Sequence, residues 1–426
     1  MNNFVISGVN MLKPSGEVEI ANIFVSGDKI SKITGGEVTH DQIIDGKNKF
    51  ATPGLVNAHT HASMTLLRSY SDDKSLMDWL QKDIWPIEAK MTRKDIYWGA
   101  ALAAIEMIRG GTTAFADMYG PCMEEVAKIV DESGLRGSLS QGLISFADGD
   151  KKLASNVELY KNFHGAADGR IQIMLGPHAI YTCPPDYLKK VAAEASKLGA
   201  EIHIHMNETQ TEIEDSIKTY GKRPFEIVNE TGLFENGTLA AHCVHLSDSE
   251  IEIIKSRKIR VAHNPGSNLK LASGISPIKK LLDAGITVSL GTDGASSNNN
   301  LDMLEEIRLA ALLAKVESMN PLAVPANQAL QMATEYGAAA LGLQNVGKLE
   351  VGYKADIVLW DMSGAEWQPT YNPASLLVYS ANSSSADTVI VDGKILMQNR
   401  ELKTLDEEKI CAEFKKCANR LTGKDS

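Results

Sequence analysis

Eight short apolar runs recur along the middle of the chain: 55–61 (LVNAHTH), 112–118 (TTAFADM), 135–142 (LRGSLSQG), 171–178 (IQIMLGPH), 200–206 (AEIHIHM), 238–244 (TLAAHCV), 259–265 (IRVAHNP) and 287–293 (TVSLGTD). They are apolar, most of them partly β-branched, and show little polar alternation, as expected of parallel strands buried on both faces. Between most of them lie helical patterns, such as 94–109 before Gly110-Gly111 and 186–198 before Gly199, each closed by the glycine that ends a helix cheaply. Strand alternating with helix over roughly 250 residues predicts an α/β fold, a (β/α)₈ barrel.

The ends of the chain read differently. FVSGDKISKI around Gly27-Asp28 and VIVDGKILM around Asp392-Gly393 are hairpin patterns, with the Gly-Asp and Asp-Gly pairs that tight turns favour. At 426 residues the chain exceeds one barrel. The expected organisation is therefore residues 1–54 and 346–426 pairing into one small β-sandwich domain, with the barrel at 55–345 between them. A terminal helix follows Thr404, with Glu407 completing a capping box.

Composition narrows the class. Hydrophobic residues make up 43% and no apolar stretch reaches membrane-spanning length. The N-terminal MNNFVISGVN lacks the basic region and apolar core of a secretory signal. Five scattered cysteines without a CxxC suit a reducing compartment. A cytoplasmic protein is expected, either monomeric or a homo-oligomer. A net charge of -11 argues against a nucleic-acid partner.

The chemistry sits at the strand ends. Seven of the ten histidines fall in these segments and His245 lies one residue past the sixth, so only His40 and His164 are remote from the strand ends. That distribution weakens the plainer reading of hydrogen-bonded loop histidines. Residues i and i+2 of a strand face the same side, so His59 and His61 can reach one ion. Adding His205 and Asp293 makes an N₃O set suited to zinc or another divalent transition metal. The fourth run ends in His178, where a bridged two-metal site in such barrels would place a carboxylated lysine, so one ion is expected. Pro121-Cys122 is followed by Met123, Glu124 and Glu125, which excludes the PCxxC deaminase fold.

Taken together, TPGLVNAHTH at 52–61, GPHAIYTC at 176–183, HIHMNET at 203–209, AHCVH at 241–245, HNPGSNLKLASG at 263–274, GTDGASSNNNLDM at 291–303 and GKLEVGYKADIVLWD at 347–361 resemble the amidohydrolase superfamily. Within it the chain is most similar to the 5-methylthioadenosine/S-adenosylhomocysteine deaminases, over nearly its whole length. The resemblance implies one divalent ion per subunit, zinc above all, on His59, His61, His205 and Asp293. It implies hydrolytic deamination of an adenine nucleoside, with Asp293 accepting the proton of water, Glu208 protonating N1 and His242 orienting the nucleophile. Glu88 corresponds to the ribose-binding acid, His178 to a contact on the purine or ribose edge, and Trp79 to a surface for sugar and thioether. His203, His245 and His263 are assigned supporting roles, Asn264, Ser267 and Asn268 the strand-seven loop, and Asp117 either a supporting contact or a helix cap.

One departure bears on specificity. Relatives that hold the homocysteine carboxylate carry an Arg at the third strand's end and another about a dozen residues on. Here Gln141 stands at the first position, and only Lys151 and Lys152 lie near the second. Gln cannot form the two-pronged charged pair of Arg with a carboxylate. Methylthioadenosine or adenosine is therefore expected to compete well with S-adenosylhomocysteine. The alternatives are a related amidohydrolase acting on a guanine, pterin or chlorotriazine ring, which has no use for Glu88, and a non-catalytic barrel, against which the full ligand set speaks.

Overall fold

The computed structural model describes residues 2–146 and 148–423. Its centre is a ring of eight parallel strands. They are Leu55–Thr60, Thr112–Tyr119, Arg136–Leu143, a fourth in two pieces at Ile171–Ile173 and Gly176–Pro177, then Ile202–Met206, Thr238–His242, Arg260–His263 and Val288–Leu290. Two hydrogen-bonded runs of these strands are joined at one seam by His203 N–H to Leu175 O (3.0 Å) and His205 N–H to His178 O (3.0 Å). The other seam is closed by Asp293 N–H to His59 O at 2.9 Å. The first two strands are buried at every position, as their unbroken apolar patterns require when helices cover the outside and packed side chains fill the inside.

Two sequence expectations change in detail. The fourth strand comes in two pieces, and between them Met174 N–H turns to Leu139 O on one neighbour and Leu175 N–H to Glu201 O on the other side (both 2.9 Å). The terminal helix, Glu407–Thr422, is capped by Asp406, whose carboxylate accepts from Lys409 N–H at 3.0 Å. Thr404 instead donates its hydroxyl to Ser133 O at 2.7 Å, tying that segment to the barrel.

The two chain ends build one nine-stranded sheet. Lys49–Pro53 is hydrogen-bonded to Ile357–Asp361 in antiparallel register, so the strand just before the barrel meets one of the first after it. The sheet curls until the turn after Val18–Ser26 returns to the other end, with Ile30 N–H to Tyr353 O at 2.9 Å and Ala355 N–H to Asp28 O at 2.8 Å. It encloses its own apolar cluster, including Ile6, Ile23, Ile30, Ile357 and Ile390. A buried ion cluster fastens it to the barrel: Arg136, at the start of the third barrel strand, binds Asp356 two-pronged (2.6 and 2.9 Å) and Asp392 (2.5 Å). The anchorage thus lies at the strands' N-terminal ends, which leaves the C-terminal ends free for chemistry.

Candidate active site

Each predicted ligand stands at the C-terminal rim. His59 lies within the first strand and His61 one residue past it. His205 lies in the fifth strand, and Asp293 three residues beyond the eighth with φ 61°. Gly291 lets the first and eighth strands approach: a Cβ there would lie 2.6 Å from Asn264 Oδ1 and 2.7 Å from His59 N. The geometry is tight. His61 Nε2 is 3.1 Å and His59 Nε2 3.4 Å from Asp293 Oδ1, and His205 Nε2 is 3.4 Å from His61 Nε2.

The outer edges of these rings settle what the inner edges can offer. His61 Nδ1 donates to Met118 O, and His205 Nδ1 donates to His178 O at 2.7 Å. A carbonyl can only accept, so each ring holds a proton on Nδ1, and each Nε2 presents a lone pair inward when the ring is neutral. His59 Nε2 is buried without a hydrogen-bond partner among the described residues. Asp293 Oδ1 accepts Gly294 N–H (2.7 Å) and Oδ2 accepts the Ser267 hydroxyl (2.6 Å), and His59 and His61 beside it hold the carboxyl well below its ordinary pKa despite its burial. Burial pushes His59 down to about 4 against the pull of Asp293. His61 goes the other way, to about 9, because Asp293 outweighs its burial. Asp293 therefore calls for a positive neighbour, and three imidazole lone pairs with one carboxylate oxygen fit a divalent ion of zinc type.

His242 joins the cluster, for its donor atom lies within 4.8 Å of those of His59 and His205. Its Nδ1 is bonded to Asn268 Oδ1 at 2.8 Å, and its Nε2 is 3.9 Å from Glu208 Oε2. Ser267 and Asn268 thus hold Asp293 and His242 directly, where the sequence alone points only to a loop. The signal was their place in the turn after the seventh strand. Among the described residues no backbone N–H bonds to the Glu208 carboxylate. Glu212 accepts from Asn207 N–H (3.2 Å) and Glu208 N–H (2.8 Å) instead, and burial raises the pKa of Glu208.

A cavity of about 510 Å³ opens above this cluster, lined by His61, His205, Glu208, His242 and Asp293 together with Trp79, Glu88, Gln141 and His178. Every predicted substrate contact therefore meets one space. Trp79 and Glu88 ride on a helical stretch formed by Leu76–Trp79, a π turn at Leu80–Ile84 and Trp85–Glu88. Pro86 offers no N–H and would press on the carbonyl four residues back, a conflict the wider π turn absorbs. Glu88 Oε1 is buried and has no hydrogen-bond partner among the described residues. Burial pushes Glu88 up to about 7, opposed by the Tyr119 hydroxyl and by His61. Trp79 is held by its indole N–H on Ser71 O at 3.1 Å. The nitrogen of His178 is paired with Thr182 Oγ1 at 3.0 Å.

Other residues sort themselves around this space. Tyr119 and Tyr181 line the cavity and escaped the sequence reading. Tyr119 follows Asp117 by two positions on one strand, the same-side spacing that exposes a ligand pair. Asp117 Oδ1 caps the turn after the first strand by accepting Ala62 N–H at 3.0 Å. His245 Nε2 bonds Ser273 O (2.7 Å), and both ring nitrogens of His263 are buried and unpaired among the described residues. Lys152 lines the cavity, whereas Lys151 is 81% exposed and paired with Asp148.

Known proteins share this architecture. The chain is 49% identical over 98% of its length to a 5-methylthioadenosine/S-adenosylhomocysteine deaminase of Syntrophomonas wolfei, of which it covers 97%. It is 52% identical to the protein of that name from Dictyoglomus thermophilum, over 99% of both chains. Among solved structures, a zinc-bound adenosine deaminase from Xanthomonas campestris superposes with a TM-score of 0.95 at 33% identity, over 99% of each chain. An atrazine chlorohydrolase from Arthrobacter aurescens complexed with zinc reaches 0.90 at 25% identity, over 97% of this chain and all of the other. The amidohydrolase family profile matches residues 50–396. With a barrel, a small sheet from both ends and a histidine-aspartate cluster at the strand tips, the chain belongs to the amidohydrolase family.

Proposed function

We propose that this enzyme is a metal-dependent hydrolytic deaminase that converts the adenine ring of 5′-methylthioadenosine, S-adenosylhomocysteine or adenosine to hypoxanthine and releases ammonia. The observation that carries the reading is that one cavity, floored by the histidine-aspartate cluster, also holds a buried Glu88 oxygen without a hydrogen-bond partner among the described residues. His59, His61, His205 and Asp293 would hold one divalent ion, zinc in this proposal. Bound there, such an ion lowers the pKa of water toward neutrality and acts as a Lewis acid.

The side chains supply the rest. Asp293, fixed by Ser267 and Gly294, accepts the proton of the attacking water. Addition at C6 drives electrons onto N1, and Glu208 gives N1 its proton, a role that its burial-raised pKa favours. The departing amine takes the proton that Asp293 received from water, and the C6 hydroxyl returns its remaining proton to Glu208 as the carbonyl forms and ammonia leaves. His242, held through Nδ1 by Asn268, presents Nε2 to the nucleophile and to the developing charge. Glu88 accepts both hydrogens of a 2′,3′-diol, and His178 meets the purine or ribose edge. A guanine, pterin or triazine leaves Glu88 unused, which favours the nucleoside.

Within this reading the enzyme is cytoplasmic and needs no nucleic-acid partner, supported by the net charge of -11. Among the described residues no helix is long and apolar enough to cross a membrane. Steady-state ammonia release from adenosine, methylthioadenosine, S-adenosylhomocysteine and guanine tests the proposal. Adenine nucleosides should turn over and guanine should not. In His205→Ala both the ion and turnover should be lost, and full metal content with normal activity would refute the ligand assignment.

A further inference from the structure

We infer that His203 is a positioning residue for the metal site, setting which nitrogen of His59 carries the proton. The inference rests on the ligand reading above. His61 and His205 have their outer nitrogens locked by carbonyls, which accept only. His59 is the exception. Its Nδ1 faces His203 Nε2 at 2.8 Å, and both rings are fully buried. A neutral imidazole has one N–H and one lone pair, so this contact works in either direction.

The two directions differ at the metal. If His203 accepts, His59 carries its proton on Nδ1 and offers the Nε2 lone pair inward. His203 must then hold its own proton on Nδ1, which has no hydrogen-bond partner among the described residues. If His203 donates, His59 is protonated on Nε2, 3.4 Å from Asp293 Oδ1. That proton occupies the direction a ligand bond needs. Each state holds one proton per ring, so the exchange is a paired tautomer change with no net proton release. The ion selects the first state, and Asp293 without an ion favours the second. Without an acceptor at position 203, the Nδ1 proton of His59 would be left unpaired in a dry site whenever the ion is bound.

The test is zinc affinity of the full-length chain, stripped by a chelator and titrated with zinc against a competing chelator. Removing the outer partner of a metal-bound histidine typically weakens binding about 10- to 100-fold. His203→Ala should show a loss on that scale, and His203→Gln, whose amide oxygen can accept from His59, should recover much of it. A purely structural role predicts a lower melting temperature of the zinc-free protein with unchanged zinc affinity. Zinc binding by a folded His203→Ala within twofold of the parent would overturn the inference. Should that variant fail to fold, ¹⁵N-histidine spectra of the parent decide: zinc must bring the protons of both His59 and His203 to Nδ1, and a proton on His203 Nε2 in the zinc-bound protein refutes it. His205→Ala, run in parallel, separates the failures. Retained zinc there would remove the ligand reading itself, whereas lost zinc there with normal binding in His203→Ala removes only the role of His203.

Discussion

Lys152 should decide how well this enzyme accepts a substrate that bears a carboxylate. Gln141 and Lys152 line the same cavity, and Lys152 is its sole Lys or Arg side chain among the described residues. It is half-buried on the helix Gly149–Phe163, burial lowers its pKa, and it forms no ion pair within 4 Å among the described residues. Lys151, one position away, points to solvent and pairs with Asp148. A charge-assisted hydrogen bond is worth about 1.5–3 kcal/mol, or roughly 10- to 150-fold. Lys152 is itself partly exposed, so solvent screening holds such a pair to the lower end, about tenfold. Lys152→Met keeps the aliphatic stem and removes the charge. It should cut kcat/KM for S-adenosylhomocysteine about tenfold and leave methylthioadenosine, which has no carboxylate, within twofold. Lys151→Ala should change neither, and Gln141→Arg should raise the S-adenosylhomocysteine value by a similar factor. The assay is ammonia release with each nucleoside below its KM, so that the ratio reads differential transition-state binding. An equal loss on both substrates in Lys152→Met, or a strong preference for S-adenosylhomocysteine unmoved by any of these changes, would show that the carboxylate lies elsewhere.

Glu208→Gln keeps the shape and removes the transferable proton, so kcat should fall about 10²-fold or more while metal content is retained; an unchanged kcat would end its role as a proton shuttle. Glu88 has a folded pKa of about 7 against an ordinary 4.5, so the folded chain holds an extra proton between those values, and the stability this brings is present below 4.5 and lost as pH rises to 7. Glu88→Gln, neutral throughout, should therefore gain stability relative to the zinc-free parent as pH rises from 5 to 8, by at most about 3 kcal/mol, while losing kcat/KM on ribosides; a pH-independent difference in melting temperature would contradict this. Gly291→Ala should lower both melting temperature and zinc content, because its Cβ would meet the backbone N and O of His59 at 2.7 and 2.8 Å and overpacking costs about 1–3 kcal/mol; parent-like zinc binding would show that the strands can part without harm.

The barrel was legible because its strands are buried on both faces, which leaves continuous apolar runs that end in functional side chains. The ligand cluster was legible for the same reason: strand direction and the i, i+2 rule bring His59 and His61 to one side, and the barrel's symmetry brings His205 and Asp293 to the same rim. What escaped was side-chain wiring across strands. Nothing in HNPGSN says that Ser267 will bond Asp293 or that Asn268 will bond His242, because both contacts depend on how far the seventh loop folds over the eighth strand. Glu212 was invisible for a similar reason, its duty to the backbone at Asn207 and Glu208 being set by the turn. Lys151 and Lys152 could be told apart only by the rotation of their helix. The cap of the last helix moved from Thr404 to Asp406 because Thr404 has a barrel carbonyl within reach.

That wiring has a cost in the backbone. Asn207, His242, Cys243 and Asp293 all take positive φ at strand ends, from 51° to 71°, where non-glycine residues lose on the order of 1–3 kcal/mol each. None is glycine, although glycine would relieve the strain, so the side chains must be worth more there than the relaxed backbone. For His242 and Asp293 the gain is direct: the turn swings each group off the line of its strand and into the cavity. For Asn207 it is indirect, since its amide binds His245 O and Glu250 Oε1 (both 2.9 Å) and fixes the loop from which Glu208 projects. The strain is borne by surroundings that cannot yield, strands buried at nearly every position and closed into a ring. A barrel whose opposite end is clamped to the small sheet through Arg136, Asp356 and Asp392 can hold such turns at its catalytic rim without opening there.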